Sequence, residues 1–232
     1  MLLSPEDHER IQQATQAAEA GTRGEIVCVI ANEASHYMEV PLAWAAVGSL
    51  VLPLLPLTLG AADSWFDDGL RGWSVAHVAA SHSTVMAVLG GYALVQCLLF
   101  ILIALLVSIP VVRRAMTPGL IRRGHVHQRA MEQFYARDLH LTRERTGVLI
   151  YASLKDRMVE VIGDIGINAK VGPKDWREVI VRLTSGIKAG RPADGFVAAI
   201  ETCGRLLATH FPTDLANPNE LPDAIADDPP SS

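Results

Sequence analysis

Glu25-Ile26-Val27-Cys28-Val29-Ile30-Ala31, bounded by Gly24 and Asn32, is a short apolar run rich in β-branched residues. It reads as a buried strand. The segment before it reads as a helix. Ser4 can cap it, Pro5 suits the first helical position, and Glu6 and Asp7 complement the dipole. Ile11, Ala14 and Ala18 share one face, and Gly21 ends it. One buried strand beside one helix is not a stable unit, so the strand must find partners elsewhere in the chain. The matching runs lie far downstream. Val148–Ser153 follows Thr146-Gly147, and Met158–Gly163 follows the polar turn Leu154-Lys155-Asp156-Arg157. These two read as a β-hairpin. The expected fold is α/β: a small mixed sheet flanked by helices and divided in sequence into an N-terminal part (residues 1–36) and a C-terminal part (residues 120–212).

The interruption between the two parts has its own character. Val40–Ala62 and Gly72–Val112 contain no Asp, Glu, Lys or Arg. A helix needs about 20 apolar residues to cross the hydrocarbon core of a bilayer. Residues 41–60 and 85–112 each meet that length, which predicts a two-helix transmembrane hairpin over residues 40–112 with a loop over about 61–84. Pro53 and Pro56 predict a kinked first span, tolerable where neighbours satisfy the freed carbonyls. Gly90-Gly91 offers a place for close approach in the second. Neither span carries the ionisable side chain that marks an ion or proton route, so an anchor is expected rather than a pore.

Charge sets the expected orientation. The loop holds Arg71 against Asp63, Asp67 and Asp68, whereas residues 113–130 hold Arg113, Arg114, Arg122, Arg123 and Arg129 with no acid. Positive residues near a span end stay cytoplasmic. The acidic opening of the chain, with the long apolar stretch beginning only near residue 41, does not resemble a secretory signal. The expectation is a multi-pass protein of a bacterial inner (plasma) membrane, with both termini and the α/β domain in the cytoplasm. The same five arginines form a basic patch able to hold membrane lipids of the anionic leaflet.

The 232 residues carry a net charge of −5. Once the membrane segments are set aside, one modest soluble domain remains. Cys28, Cys97 and Cys203 show no framework spacing and read as reduced packing residues. Helices are expected over Val126–His140, from Pro173 to Lys188, and over Phe196–His210, with a break at Gly190–Gly195 and a glycine-bounded loop at Asp164–Ile167. The acidic, proline-bearing end, residues 213–232, reads as disordered.

The order and wording of these segments resemble the TPM-domain family, in its subgroup of bacterial membrane proteins with a transmembrane hairpin inserted in the domain. The resemblance lies in Gly24–Val29, Thr146–Ile150, Val159–Ile167 with its Gly163-Asp164-Ile165-Gly166 run, and the C-terminal helix pair ending His210-Phe211-Pro212. It implies a small sheet between helices. Some members are described as acid phosphatases, some bind calcium through loop carboxylates, and others are auxiliary subunits of membrane complexes. Where many members carry Trp-Gly before the second strand, this chain has Leu141-Thr142-Arg143-Glu144-Arg145.

No phosphate loop, nucleophile elbow or zinc-protease helix occurs in the sequence. Asp164 and Asp175 are the candidate metal ligands, offering oxygen to Ca²⁺ or another divalent cation, though two carboxylates fall short of the six to eight oxygens Ca²⁺ prefers. Asp175 also suits a first helical turn. His125 and His127 form an x-spaced pair without an adjacent Cys or carboxylate and read as solvated. Ser153 lacks an identifiable base. No aromatic residues interleave the arginines, so nucleic acid is not an expected partner. The expected role is an interaction or regulatory module with a membrane-protein partner, and the competing expectation is a weak, metal-assisted phosphatase acting on phosphomonoesters.

Overall fold

The computed structural model describes residues 3–35, 37, 39–55, 82–213 and 220–228. The chain forms two compact units, Met1–His36 with Gly119–Ser232, and Tyr37–Pro118.

In the first unit, α1 (Pro5–Glu19) leads to β1 (Glu25–Ala31), and α5 (Gly119–Ala136) precedes β2 (Gly147–Ser153) and β3 (Met158–Gly163). One-turn α6 (Ile165–Asn168), α7 (Trp176–Lys188), α8 (Pro192–His210) and β4 (Ala226–Asp228) complete it. The sheet order is β3-β2-β1-β4. β1 lies parallel to β2 along its whole length, from Glu25 opposite Gly147 to Ala31 opposite Ser153, and β3 returns antiparallel to β2. This is the mixed sheet flanked by helices that the sequence predicts.

All seven residues of β1 and of β2 are buried because helices cover both faces. Ile26, Cys28 and Ile30, with Val148, Ile150 and Ala152, pack against Ile11, Leu183, Phe196 and Leu207. Val27, Val29, Leu149 and Tyr151 face Val126, Ala130 and Phe134 of α5. Strands sandwiched this way read as continuous apolar runs.

Several boundaries move from their expected places. α5 starts at Gly119 rather than Val126 and ends at Ala136. Asp138 then takes a left-handed conformation (φ 57°) ahead of a 3₁₀ turn at Leu139–Leu141. α8 starts at Pro192, since proline at the first position costs a helix nothing. The expected loop at Asp164–Ile167 contains α6, capped by Asp164.

The larger correction concerns the tail. Residues 226–228 are not disordered: β4 pairs parallel to β1, with Val29 opposite Ala226 and Ala31 opposite Asp228. The edge of β1 has unspent hydrogen-bonding capacity, and buried partners for Asp228 outweigh the charged composition of the segment.

In the second unit, α2 (Glu39–Val51) tightens into a 3₁₀ turn at Leu52–Leu54, where Pro53 falls. α3 (His82–Ser108) stops at Ile109, which is extended (ψ 125°) because it precedes Pro110, and α4 (Pro110–Met116) comes next. Val40 packs with Val107, and a Cβ at Gly48 would lie 2.7 Å from Cδ1 of Ile103, so α2 and α3 run antiparallel. Trp44 Nε1 donates to Met116 O at 3.1 Å. Close approach occurs at Gly48. A Cβ at Gly90 or Gly91 would meet nothing within 4 Å among the described residues. Pro56 and the expected loop between the spans lie outside the described residues.

Candidate functional site

Parallel pairing brings the carboxyl ends of β1 and β2 together, the end at which open α/β sheets build sites. Their loops bind each other. Leu154 N–H donates to Ala31 O at 3.0 Å, and Lys155 N–H to Asn32 O at 2.9 Å. Buried Asp156 ties the corner, with Oδ2 accepting the Ser153 hydroxyl at 2.6 Å and Ala34 N–H at 3.0 Å. Lys155 Nζ stands 3.6 Å from Glu33 Oε2. Ser153 therefore has a carboxylate partner three residues on, brought back to it by the turn, and the bond holds its hydroxyl inside.

Asp228 occupies the same end through β4. Its side chain is 1% exposed and receives Arg129 Nη2 on Oδ1 at 2.7 Å and Arg129 Nε on Oδ2 at 2.8 Å. Gln133 Nε2 donates to Oδ1 at 2.8 Å and Tyr151 Oη to Oδ2 at 3.2 Å. Asp228 holds the Arg129 guanidinium above its ordinary pKa, mainly through these hydrogen bonds. Burial, and then the Asp228 charge, push the Tyr151 phenol up. Sequence reading missed this cluster because Asp228 sits in an acidic tail and Arg129 in an arginine-rich segment, with no local signal joining them.

A carboxylate group lies at the opposite end of β1. Glu19, in the last turn of α1, is buried with Glu25 and Asp223 nearby. Glu25 N–H donates to Thr146 O on the β2 side, so Ile26 N–H points to the other edge, which β4 does not reach. Glu19 Oε1 accepts that orphan donor at 2.6 Å. Burial, and secondarily the charges of Glu25 and Asp223, push the Glu19 carboxyl up to about 8 despite the hydrogen bond from Ile26.

The two candidate metal ligands serve separate local roles. Asp164 Oδ1 accepts Ile165 N–H at 2.7 Å, and its buried Oδ2 makes no hydrogen bond and stands 3.8 Å from Arg145 Nη1. Asp175 Oδ2 accepts Gly172 N–H at 2.8 Å. Among the described residues, no group of three or more His, Cys, Asp or Glu side chains is placed to hold a metal ion.

The arginine patch divides. Arg129 is committed to Asp228 and to Glu132, 3.0 Å away. Arg113 and Arg122 are half-buried, the Nε of Arg122 having no hydrogen-bond partner. The side chain of Arg114 lies outside what is described. Arg123 is exposed and lines a depression of about 530 Å³ between α5 and the β2–β3 hairpin, with Val126 and His127 on one side and Arg157 to Glu160 on the other. His127 Nδ1 pairs with Glu160 Oε1 at 2.9 Å, while His125 lies half-buried on the same helix.

Comparison with known families finds a match to the TPM domain over residues 113–206. Among solved structures, the chain is similar to the NMR structure of BA42 protein from the psychrophilic bacterium Bizionia argentinensis, with a TM-score of 0.56 and 20% identity, covering 98% of this chain and 97% of that one. At that identity the likeness concerns the fold alone. Comparison with curated proteins gives no match.

Proposed function

We propose that this chain, whose residues 113–206 match the TPM domain, is a two-pass protein of a bacterial inner membrane, holding its α/β unit in the cytoplasm as an interaction or regulatory module of a membrane complex. The carrying observation is α3. Leu89–Ser108 is the one helix among the described residues long and apolar enough to span a bilayer. Its face away from α2 is as apolar as the face against it, and Leu94, Leu98, Leu102 and Leu105 each expose more than half their surface. Leu42, Val47 and Leu50 do the same on α2. Helices apolar all round belong in a protein core or in lipid, and uncovered apolar faces of this size need an apolar neighbour. The arginines after residue 112 favour the cytoplasmic side for the α/β unit.

The test is an alkaline carbonate wash of membranes followed by cross-linking in the membrane. The chain is expected to stay in the pellet and to yield a reproducible partner. Release into the wash contradicts the anchor, and recovery of no partner contradicts the module.

A second reading, a metal-assisted phosphomonoesterase, draws on the family match and on the Asp164 Oδ2 that makes no hydrogen bond. It requires turnover of a generic phosphomonoester by the purified chain that disappears in Asp164→Asn. Absence of turnover across divalent metals and pH contradicts it.

A further inference from the structure

We infer that the depression between the first turns of α5 and the β2–β3 hairpin is a docking site for the phosphodiester headgroup of an anionic lipid, gripped by Arg123 and Arg157. The inference rests on the membrane reading above and deepens it by naming which basic residues meet the leaflet.

Two arginines from separate elements line the depression. Arg123 comes from α5, and Arg157 from the turn joining β2 to β3, where it holds a left-handed conformation (φ 54°). Both are exposed, and neither has a carboxylate partner among the described residues. The one acid that lines the depression, Glu160, is hydrogen-bonded to His127. Two arginines against one carboxylate leave the lining with a net positive charge. Guanidinium groups favour phosphate because their planar donor fork matches two of its oxygens.

An independent observation points to a lipid source for that phosphate. Leu120 is 82% exposed and Ile121 39% exposed, and both stand on the same turns of α5 as Arg123. Apolar side chains next to unpaired arginines on one helix are the pattern of a segment lying at a membrane interface, apolar groups entering the acyl boundary while cations remain at headgroup level. α5 also succeeds the apolar helices directly in sequence, with only Thr117 and Pro118 between it and α4. Thr117 is extended (ψ 117°), which ends α4 and lets α5 start as a separate helix. Arg129 falls outside this face, because Asp228 and Glu132 already occupy it.

The second depression of similar size is the comparison site. It is lined by α7, α8 and the residues just before α7, and two of its four cations are answered internally: Arg182 pairs with Glu178 at 3.1 Å and Arg191 with Asp194 at 3.4 Å.

The test uses the full chain in a neutral detergent, titrated with phosphatidylglycerol or phosphatidylcholine and read by native mass spectrometry. Wild type is expected to bind phosphatidylglycerol in preference to phosphatidylcholine, and each of Arg123→Gln and Arg157→Gln to weaken that binding roughly five-fold. Arg177→Gln/Arg182→Gln, at the comparison site, is expected to leave it unchanged. Equal affinity for the two lipids, or a preference that survives Arg123→Gln/Arg157→Gln, overturns the proposal. Inorganic phosphate added as competitor separates the sources. Failure to displace the lipid supports a headgroup site, and displacement at the same concentration as a soluble glycerophosphodiester overturns it in favour of a free-phosphate site. If the carbonate wash releases the chain yet phosphatidylglycerol vesicles still bind it through Arg123 and Arg157, the membrane-anchor reading fails and this site stands.

Discussion

Glu19 shows how a single buried residue makes the α/β unit sensitive to pH. It fills the unpaired edge of β1 through Ile26 N–H, but burial, and then the charges of Glu25 and Asp223, disfavour its anion. Position in the last turn of α1, at the negative end of the helix dipole, adds to this. With a folded pKa of about 8 against an ordinary value of 4.5, the folded chain keeps a proton that the unfolded chain releases. Stability then falls as pH rises from the unfolded value through about 8, and the penalty is complete above it. Thermal unfolding of the full chain in detergent is expected to move to lower temperature between mildly acidic and alkaline buffer. Glu19→Gln, which keeps an uncharged acceptor, is expected to remove most of that slope and to stabilise the alkaline state. An unchanged slope in Glu19→Gln contradicts the assignment. Little of this is visible in sequence. Glu19 reads as an ordinary polar residue near a helix end, because the Asp223 beside it arrives only with the returning tail.

At the scale of elements, the contrast between β1 and β4 shows what sequence exposes. β1 is legible because both its faces are covered by helices, which leaves six apolar residues in a row after Glu25. β4 has the sequence Ala226-Asp227-Asp228 and no strand signature. Its place depends on Arg129, Gln133 and Tyr151, which reach Asp228 from α5 and β2. Composition alone gives such a segment to solvent. Asp228 is thus an anchor for the whole strand. Asp228→Ala leaves Arg129, itself only 19% exposed, beside an emptied pocket. The expected cost is about 3 kcal/mol, the low end for a broken buried pair, because Arg129 retains some access to water. Hydrogen exchange is expected to rise first in residues 220–228. Unaltered protection there contradicts the anchoring role. The candidate site divides along the same line. Asp164 and Asp175 are visible as loop carboxylates, but the bonds that occupy them, and the Ser153–Asp156 contact, depend on turn geometry that spacing does not reveal.

For the whole molecule, the uncharged stretches around α2 and α3 separate β1 from β2, two strands that pair along their full length. Whatever path residues 37–118 take, the two ends of that segment must return to one place for the sheet to form. A bilayer crossed twice meets that requirement, and one crossed once does not. Reporter fusions placed after residue 70 and after residue 212 of the full chain test this most directly. An external signal is expected at the first position and a cytoplasmic signal at the second. An external signal after residue 212, or a cytoplasmic signal after residue 70, contradicts it.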